Sequence, residues 1–365
     1  MGQAELLGLM MATEPPPTGA HRAPTAIKEP EPTPEFDVNR HESIVMRIQH
    51  VLHGNPVLGP LAVLVVAVVA FSIVNTRFFS APNLSLVLAQ VTVIAVLALG
   101  QTLIILTAGI DLSVGAVAVF SSILMASFAT KVGVPGLAAL VLGLVCGTAM
   151  GALNGFLVTR VKLPPFIVTL GTLTIFFSLN SVVSKSETVR GSDMPSLMTW
   201  TGTTIPIGGF RLTYGSLIML LLFGFFFYAL RSTAWGKHVY ATGDDIEAAR
   251  LAGIRTSRVL FSVYTVAGLL YAVGGWILIG RLASASPNVG VDYNLDSITA
   301  VVLGGTSLFG GRGSVIGTLI GALIVGVFRN GLQLGGVEVV WQGFAVGLLV
   351  LVAVSLDQWI RKVKT

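Results

Sequence analysis

Six polar side chains stand out because they lie within or beside long apolar stretches of the sequence: Gln90, Gln101, Asp111, Asn154, Asn180 and Arg329. An amide there can hydrogen-bond a polar solute along a passage, or tie one helix to another at about 0.6–2 kcal/mol. Both readings stay open for Gln90, Gln101, Asn154 and Asn180. Asp111 follows a break at Gly109 and precedes Leu112-Ser113, which suits an N-cap for the next helix. A role in passage or in a proton relay are its alternatives. Arg329 can snorkel to the interface, bind the carbonyl ends of neighbouring helices, or pair with Asp111.

Other chemistries lack the residues to carry them. The five histidines, His21, His41, His50, His53 and His238, all lie outside the apolar stretches and form no H-E-x-x-H arrangement, so no metal site is indicated. Cys146 is the single cysteine, which rules out an intrachain disulfide and dithiol chemistry. No nucleophile motif accompanies a Ser/His/Asp set, so the sequence offers no catalytic residues. The phosphate loop G-x-x-x-x-G-K-[ST] is also missing: Lys237 follows Gly236, but His238 comes next.

The elements that must position the six polar residues follow from composition. Charged residues make up 11% of the 365 and hydrophobic ones 53%, whereas soluble domains carry about 25% charge. Ten apolar segments are predicted at 57–75, 84–109, 112–130, 135–159, 166–184, 214–230, 259–280, 297–308, 314–333 and 339–356, with Arg329 their only charge. The segment 297–308 is too short to span alone. With the N-terminus in the cytoplasm, fifteen of the 22 basic residues fall inside and six outside, leaving Arg329 within a span. The net charge of +5 therefore reads as topology rather than nucleic-acid binding. The expected fold is an all-α integral membrane protein of about ten transmembrane helices, some broken or short, with both termini cytoplasmic. Gly143, Gly147, Gly151 and Gly155 share one helix face and form a packing seam, either within the chain or at a dimer interface. Gly317 and Gly321 form a shorter version.

Residues 1–55 interleave seven prolines with glutamates and are predicted to be a disordered cytoplasmic tail, ending in an amphipathic helix at 36–53. The transmembrane domain is then 56–365. Its largest external segment is 185–213 and its largest internal one 231–258. Within the latter, Gly243 to Ile254 reads as a short helix with Asp244 or Asp245 as cap, an Ala-rich middle and Gly253 as left-handed terminator. A helix that short must dock on something.

Glu247-Ala248-Ala249 followed by Gly253 resembles the EAA loop of ATP-binding-cassette (ABC) importer permeases, although the Ile-x-Leu-Pro ending is missing. Three further stretches, Gly109-Ile110-Asp111-Leu112-Ser113-Val114-Gly115, Pro164-Pro165-Phe166-Ile167-Val168-Thr169-Leu170-Gly171 and Val302-Leu303-Gly304-Gly305-Thr306-Ser307-Leu308-Phe309-Gly310-Gly311, are similar to the ribose/xylose class of sugar ABC permeases. The similarity covers roughly residues 52–362. Within that class, Thr233-Ala234-Trp235-Gly236 and Asp357-Gln358-Trp359-Ile360-Arg361-Lys362 look most similar to permeases of bacterial fructose importers.

The resemblance implies a bacterial inner-membrane permease that translocates a monosaccharide by alternating access. It assigns coupling to an ATPase to Gly243, Asp244, Glu247, Ala248, Ala249 and Gly253. It also implies a second permease copy, a periplasmic sugar-binding protein docking partly on 185–213, and a cytoplasmic ABC ATPase with two fused nucleotide-binding domains that carries the ATP-Mg. This chain itself needs no cofactor. A secondary carrier driven by an ion gradient is the alternative.

Overall fold

The computed structural model describes residues 57–362. The tail at 1–55, with its expected amphipathic helix at 36–53, lies outside the described residues. Each of the ten apolar segments coincides with a helix: α1 Leu58–Val74, α2 Ala81–Leu106, α3 Val114–Thr130, α4 Gly136–Thr159, α5 Pro165–Ser184, α6 Tyr214–Ser232, α9 Thr256–Leu282, α10 Val291–Leu303, α11 Val315–Leu334 and α12 Val339–Lys362. The internal loop supplies two more, α7 Ala234–Asp244 and α8 Ile246–Leu251.

Local sequence explains most of the boundaries. Proline opens α2 and α5, where its missing N–H costs nothing. Thr213, Thr233 and Ser314 cap α6, α7 and α11 by accepting from the backbone N–H groups of Ser216, Gly236 and Gly317. Six helices, α2, α4, α5, α6, α9 and α11, are long and apolar enough to cross a membrane. The 13 residues of α10 rise only roughly 20 Å. That helix starts at Val291, six residues before the predicted 297, because a search for charge-free windows excludes Asp292 and Asp296.

α2 and α9 are buried over most of their length, whereas α4, α5 and α6 turn much of theirs outward. Those outward faces are apolar, with Val145, Leu153, Ile167, Leu221 and Phe225 exposed, as lipid contact demands. The glycine seam of α4 is intramolecular: a Cβ at Gly151 would strike the carbonyl of Tyr264 and the backbone of Gly268 on α9. Gly147 likewise meets Ala272 and Ser121, and Gly143 meets Met125. On α11, Gly317 and Gly321 lie against the carbonyls of Gly304 and Ala300, so α10 and α11 touch backbone to backbone.

The segment 185–213 carries structure that the all-α expectation lacked. β1 Val189–Arg190 pairs antiparallel with β4 Ser284–Ala285, and β2 Thr204–Ile207 pairs with β3 Phe210–Thr213. The two-residue loop of that hairpin is Gly208-Gly209, both at positive φ, as tight hairpin turns of matching twist require.

Candidate functional site

α2 serves as a ruler for the polar positions. Near its start Ser85 Oγ accepts from the backbone N–H of Arg211, which ties this end to the β2–β3 hairpin. Gln90, five residues on, lines a cavity of about 200 Å³ formed with α9, α10, α11 and α12. Gln101 lies eleven residues further, roughly 16 Å along the axis. The last residue, Leu106, accepts through its carbonyl from the N–H of Gly311 at 3.0 Å, where the internal loop meets the bundle. The polar residues are thus strung between the hairpin end and the end bearing 231–258.

The cavity brings Gln90 and Arg329 together. Arg329 Nη2 donates to Asp296 Oδ1 at 2.6 Å, and Asp296 is only 2% exposed. Arg329, 32% exposed, thus pairs with Asp296, a partner that none of the three expectations named. Asp292, Gln333 and Gln342 also line the walls, and Arg281 donates through Nη1 to the Tyr293 hydroxyl at 3.2 Å. Sequence reading missed Asp296 because the same charge-free rule that misplaced α10 removed it from view.

A second cluster, buried from solvent, gathers Gln101, Asp111 and Asn154. Asp111 Oδ1 accepts from the backbone N–H of Ser113 at 2.7 Å and from its hydroxyl at 2.6 Å, while Asn154 Nδ2 donates to the same hydroxyl at 2.9 Å. Asp111 is therefore not the N-cap of α3; it closes an Asx turn just before that helix. The N–H of Gly115 in the first turn of α3 is instead taken by Asn294 Oδ1 of α10 at 2.5 Å. Tyr271 donates to Gln101 Oε1 at 3.4 Å and lies beside Asp111, as does Tyr264. Among the described residues Gln101 Nε2, Asn154 Oδ1 and the Tyr264 hydroxyl have no hydrogen-bond partner. Tyr264 and Tyr271 gave no signal in sequence, where a tyrosine in an apolar run reads as core. Asn180 joins neither cluster: its Nδ2 donates to the carbonyl of Pro287 at 3.2 Å.

The internal loop is two helices rather than one. Asp245, in extended conformation at φ −152°, separates them and caps α8, its Oδ1 accepting from the N–H groups of Glu247 at 2.9 Å and Ala248 at 3.0 Å. The left-handed Gly253 ends α8, with Gly253 N–H bonded to Arg250 O and Ile254 N–H to Ala249 O, the reciprocal closure of a Schellman turn. Glu247 and Arg250 pair at 2.5 Å on the open side, where Ile246, Ala248 and Leu251 are exposed as well. Gly243 and Asp244, expected within this helix, instead form the last turn of α7. Gly243 is buried against the Leu106 carbonyl and Gly311, and Ala249 is buried too.

The Gly-rich turn at 310–313 closes this joint. Tyr240 of α7 donates to the carbonyl of Gly313 at 2.9 Å, and burial raises its phenol above the ordinary value, so it stays a donor at neutral pH. Trp235 Nε1 donates to Ser262 Oγ at 2.9 Å, pinning α7 to α9. The short exposed helix α8 therefore stands on an α7 that is wedged against the end of α2.

Comparison with known proteins agrees with this architecture. Residues 83–354 match a family described as branched-chain amino acid transport system / permease component. The chain is 48% identical to the fructose import permease protein of Rhizobium meliloti, over 90% of its own length and 92% of that protein's. It is 41% identical to the ribose import permease protein of Bacillus subtilis, over 82% and 92% of the two chains. It is 36% identical to the galactose/methyl galactoside import permease protein of Escherichia coli, over 82% and 93%. With a family match over most of its length and relatives similar along more than four-fifths of it, the chain belongs to this family of transport-system permease components.

Proposed function

We infer that the chain is the permease subunit of an ABC importer that carries a monosaccharide across the bacterial inner membrane. Its relatives named as import permeases for fructose, ribose and galactose support the sugar class. Fructose is the favoured substrate, from the 48% relative and the Thr233-Ala234-Trp235-Gly236 resemblance. Ten segments alternating across the bilayer put both termini in the cytoplasm, with the short α10 and the non-helical stretch 304–313 making one crossing together. The bias of basic residues towards 231–258 and the other internal segments supports that orientation.

The observation that carries the mechanism is the joint of Gly243 on the Leu106 carbonyl. A push on α8 reaches the end of α2 through backbone contact, and α2 bears both Gln90 and Gln101. A cytoplasmic ATPase with two fused nucleotide-binding domains binds ATP-Mg and seats α8. A sugar-binding protein docks outside, partly on 185–213, and two copies of this chain rock so that the passage alternates its opening. Along that passage Gln90 and Arg329, then Gln101, Asp111 and Asn154, offer hydrogen bonds in sequence. An ion-driven carrier would need an acid free to cycle, yet Asp111 is held by Ser113 and Asp296 by Arg329.

Reversing the charge on the open face of α8 tests the reading. Glu247→Lys breaks the Glu247–Arg250 pair and places a cation against the ATPase groove. Because the pair is exposed, the cost to folding is at most about 0.5 kcal/mol. Sugar uptake by the reconstituted complex is expected to fall more than roughly tenfold, with thermal unfolding of the permease and sugar binding by the soluble receptor unchanged. Uptake at the wild-type rate would remove α8 from coupling.

A further inference from the structure

The cavity beside Gln90 has the composition of a binding site. Two arginines, Arg281 and Arg329, face two aspartates, Asp292 and Asp296, so its formal charges cancel. One of each, Arg329 and Asp296, meet at 2.6 Å in the wall. The amides of half-buried Gln90 and exposed Gln333 also line it and are not taken up by side-chain hydrogen bonds among the described residues. An anion would match the arginines and leave the carboxylates facing it, and a cation would do the reverse. A neutral molecule bearing many hydroxyls satisfies both, since each hydroxyl donates once and accepts twice. Drug-sized ligands fill clefts of about 300–1,000 Å³. At about 200 Å³, this cavity suits something nearer one sugar ring than two.

We propose that this cavity binds one neutral monosaccharide within the permease itself, its hydroxyls bonding the amides of Gln90 and Gln333 and the charged groups of Asp292, Arg281 and Arg329 that line the walls. The proposal rests on the sugar-importer reading and adds to it a stopping point: the sugar pauses on the hairpin side of the Asp111 cluster before it moves on. Water alone is the rival occupant, and it would show no saturable response to sugar.

Saturation-transfer NMR on the purified full-length chain in lipid nanodiscs, titrated with D-fructose, D-ribose and fructose 6-phosphate, tests the site directly. A saturable response to at least one neutral sugar is expected, and a weaker one to the phosphate. Gln90→Leu and Gln333→Leu spare the ion pair and should each weaken the response roughly five- to tenfold, the worth of one hydrogen bond. Their thermal unfolding should remain that of the wild type, and reading it alongside separates lost binding from lost fold. Absence of saturation by either sugar, in a preparation that still imports sugar once its ATPase and binding protein are added, would overturn the site and leave the importer standing. Saturation undiminished in both variants, or an equal response to the phosphate, would also overturn it. Saturation lost in the variants, from a preparation incapable of ATP-driven uptake, would uphold the site and remove the importer.

Discussion

Gly243→Val is expected to uncouple the protein. The added Cβ would land on the carbonyl of Leu106 and close to the N–H of Gly311, both backbone atoms that cannot rotate aside. Making room breaks the hydrogen bond between them, 3.0 Å long in the structure. Overpacking of this kind costs about 1–3 kcal/mol and a lost buried hydrogen bond about 1 more. The bundle relieves that cost most simply by letting α7 lift away from α2, which breaks the joint while α8 keeps its exposed face. The complex should then hydrolyse ATP while importing sugar at less than about a tenth of the wild-type rate. Gly243→Ala should show the same split more mildly. Both rates are measured on one reconstituted preparation, and uptake within about twofold of wild type would contradict the joint.

Arg329→Ala should be the most destabilising change in the membrane-embedded part. It leaves Asp296, 2% exposed, without the cationic partner that alone among the described residues lies at bonding distance. Removing one member of a buried pair costs about 3–5 kcal/mol, and the 32% exposure of the arginine side chain favours the lower end. The double variant Asp296→Asn/Arg329→Gln keeps a hydrogen-bonding pair without burying charge and should recover most of the loss. Thermal unfolding in detergent checks this: a clear fall in Tm for the single variant, and a return towards wild type for the double. A single variant as stable as wild type would mean that the ion pair does not hold α10 to α11.

The helices were legible because a bilayer demands long runs with almost no charge: α1 to α6, α9 and α12 have charge-free ones, and α11 carries only Arg329. The same demand clipped α10: its first turns keep Asp292 and Asp296 against a polar cavity, and a search for uncharged windows discards that stretch. The partner of Arg329 was lost with it. Three of the six polar residues meet at one buried cluster with Ser113, which a local Asx turn supplies, but the hydroxyls of Tyr264 and Tyr271 that complete it are placed by chain crossings that no local pattern encodes. In the internal loop, Asp244 and Asp245 are equivalent as letters, and only the extended backbone at Asp245 decides which one caps α8. The Gly208-Gly209 turn was readable, standing between Thr204-Ile205-Pro206-Ile207 and Phe210-Arg211-Leu212-Thr213, and marks the hairpin that the all-α expectation passed over.

The central claim is ATP-driven import, and radiolabelled sugar uptake into proteoliposomes tests it most directly. The vesicles would hold this chain, its ATPase and its binding protein, with ATP trapped inside or omitted, and fructose and ribose supplied outside. Uptake that requires all three proteins and ATP, with fructose preferred, is the predicted result. Uptake by this chain alone, abolished when an ion gradient is collapsed, would contradict the account and make it a secondary carrier.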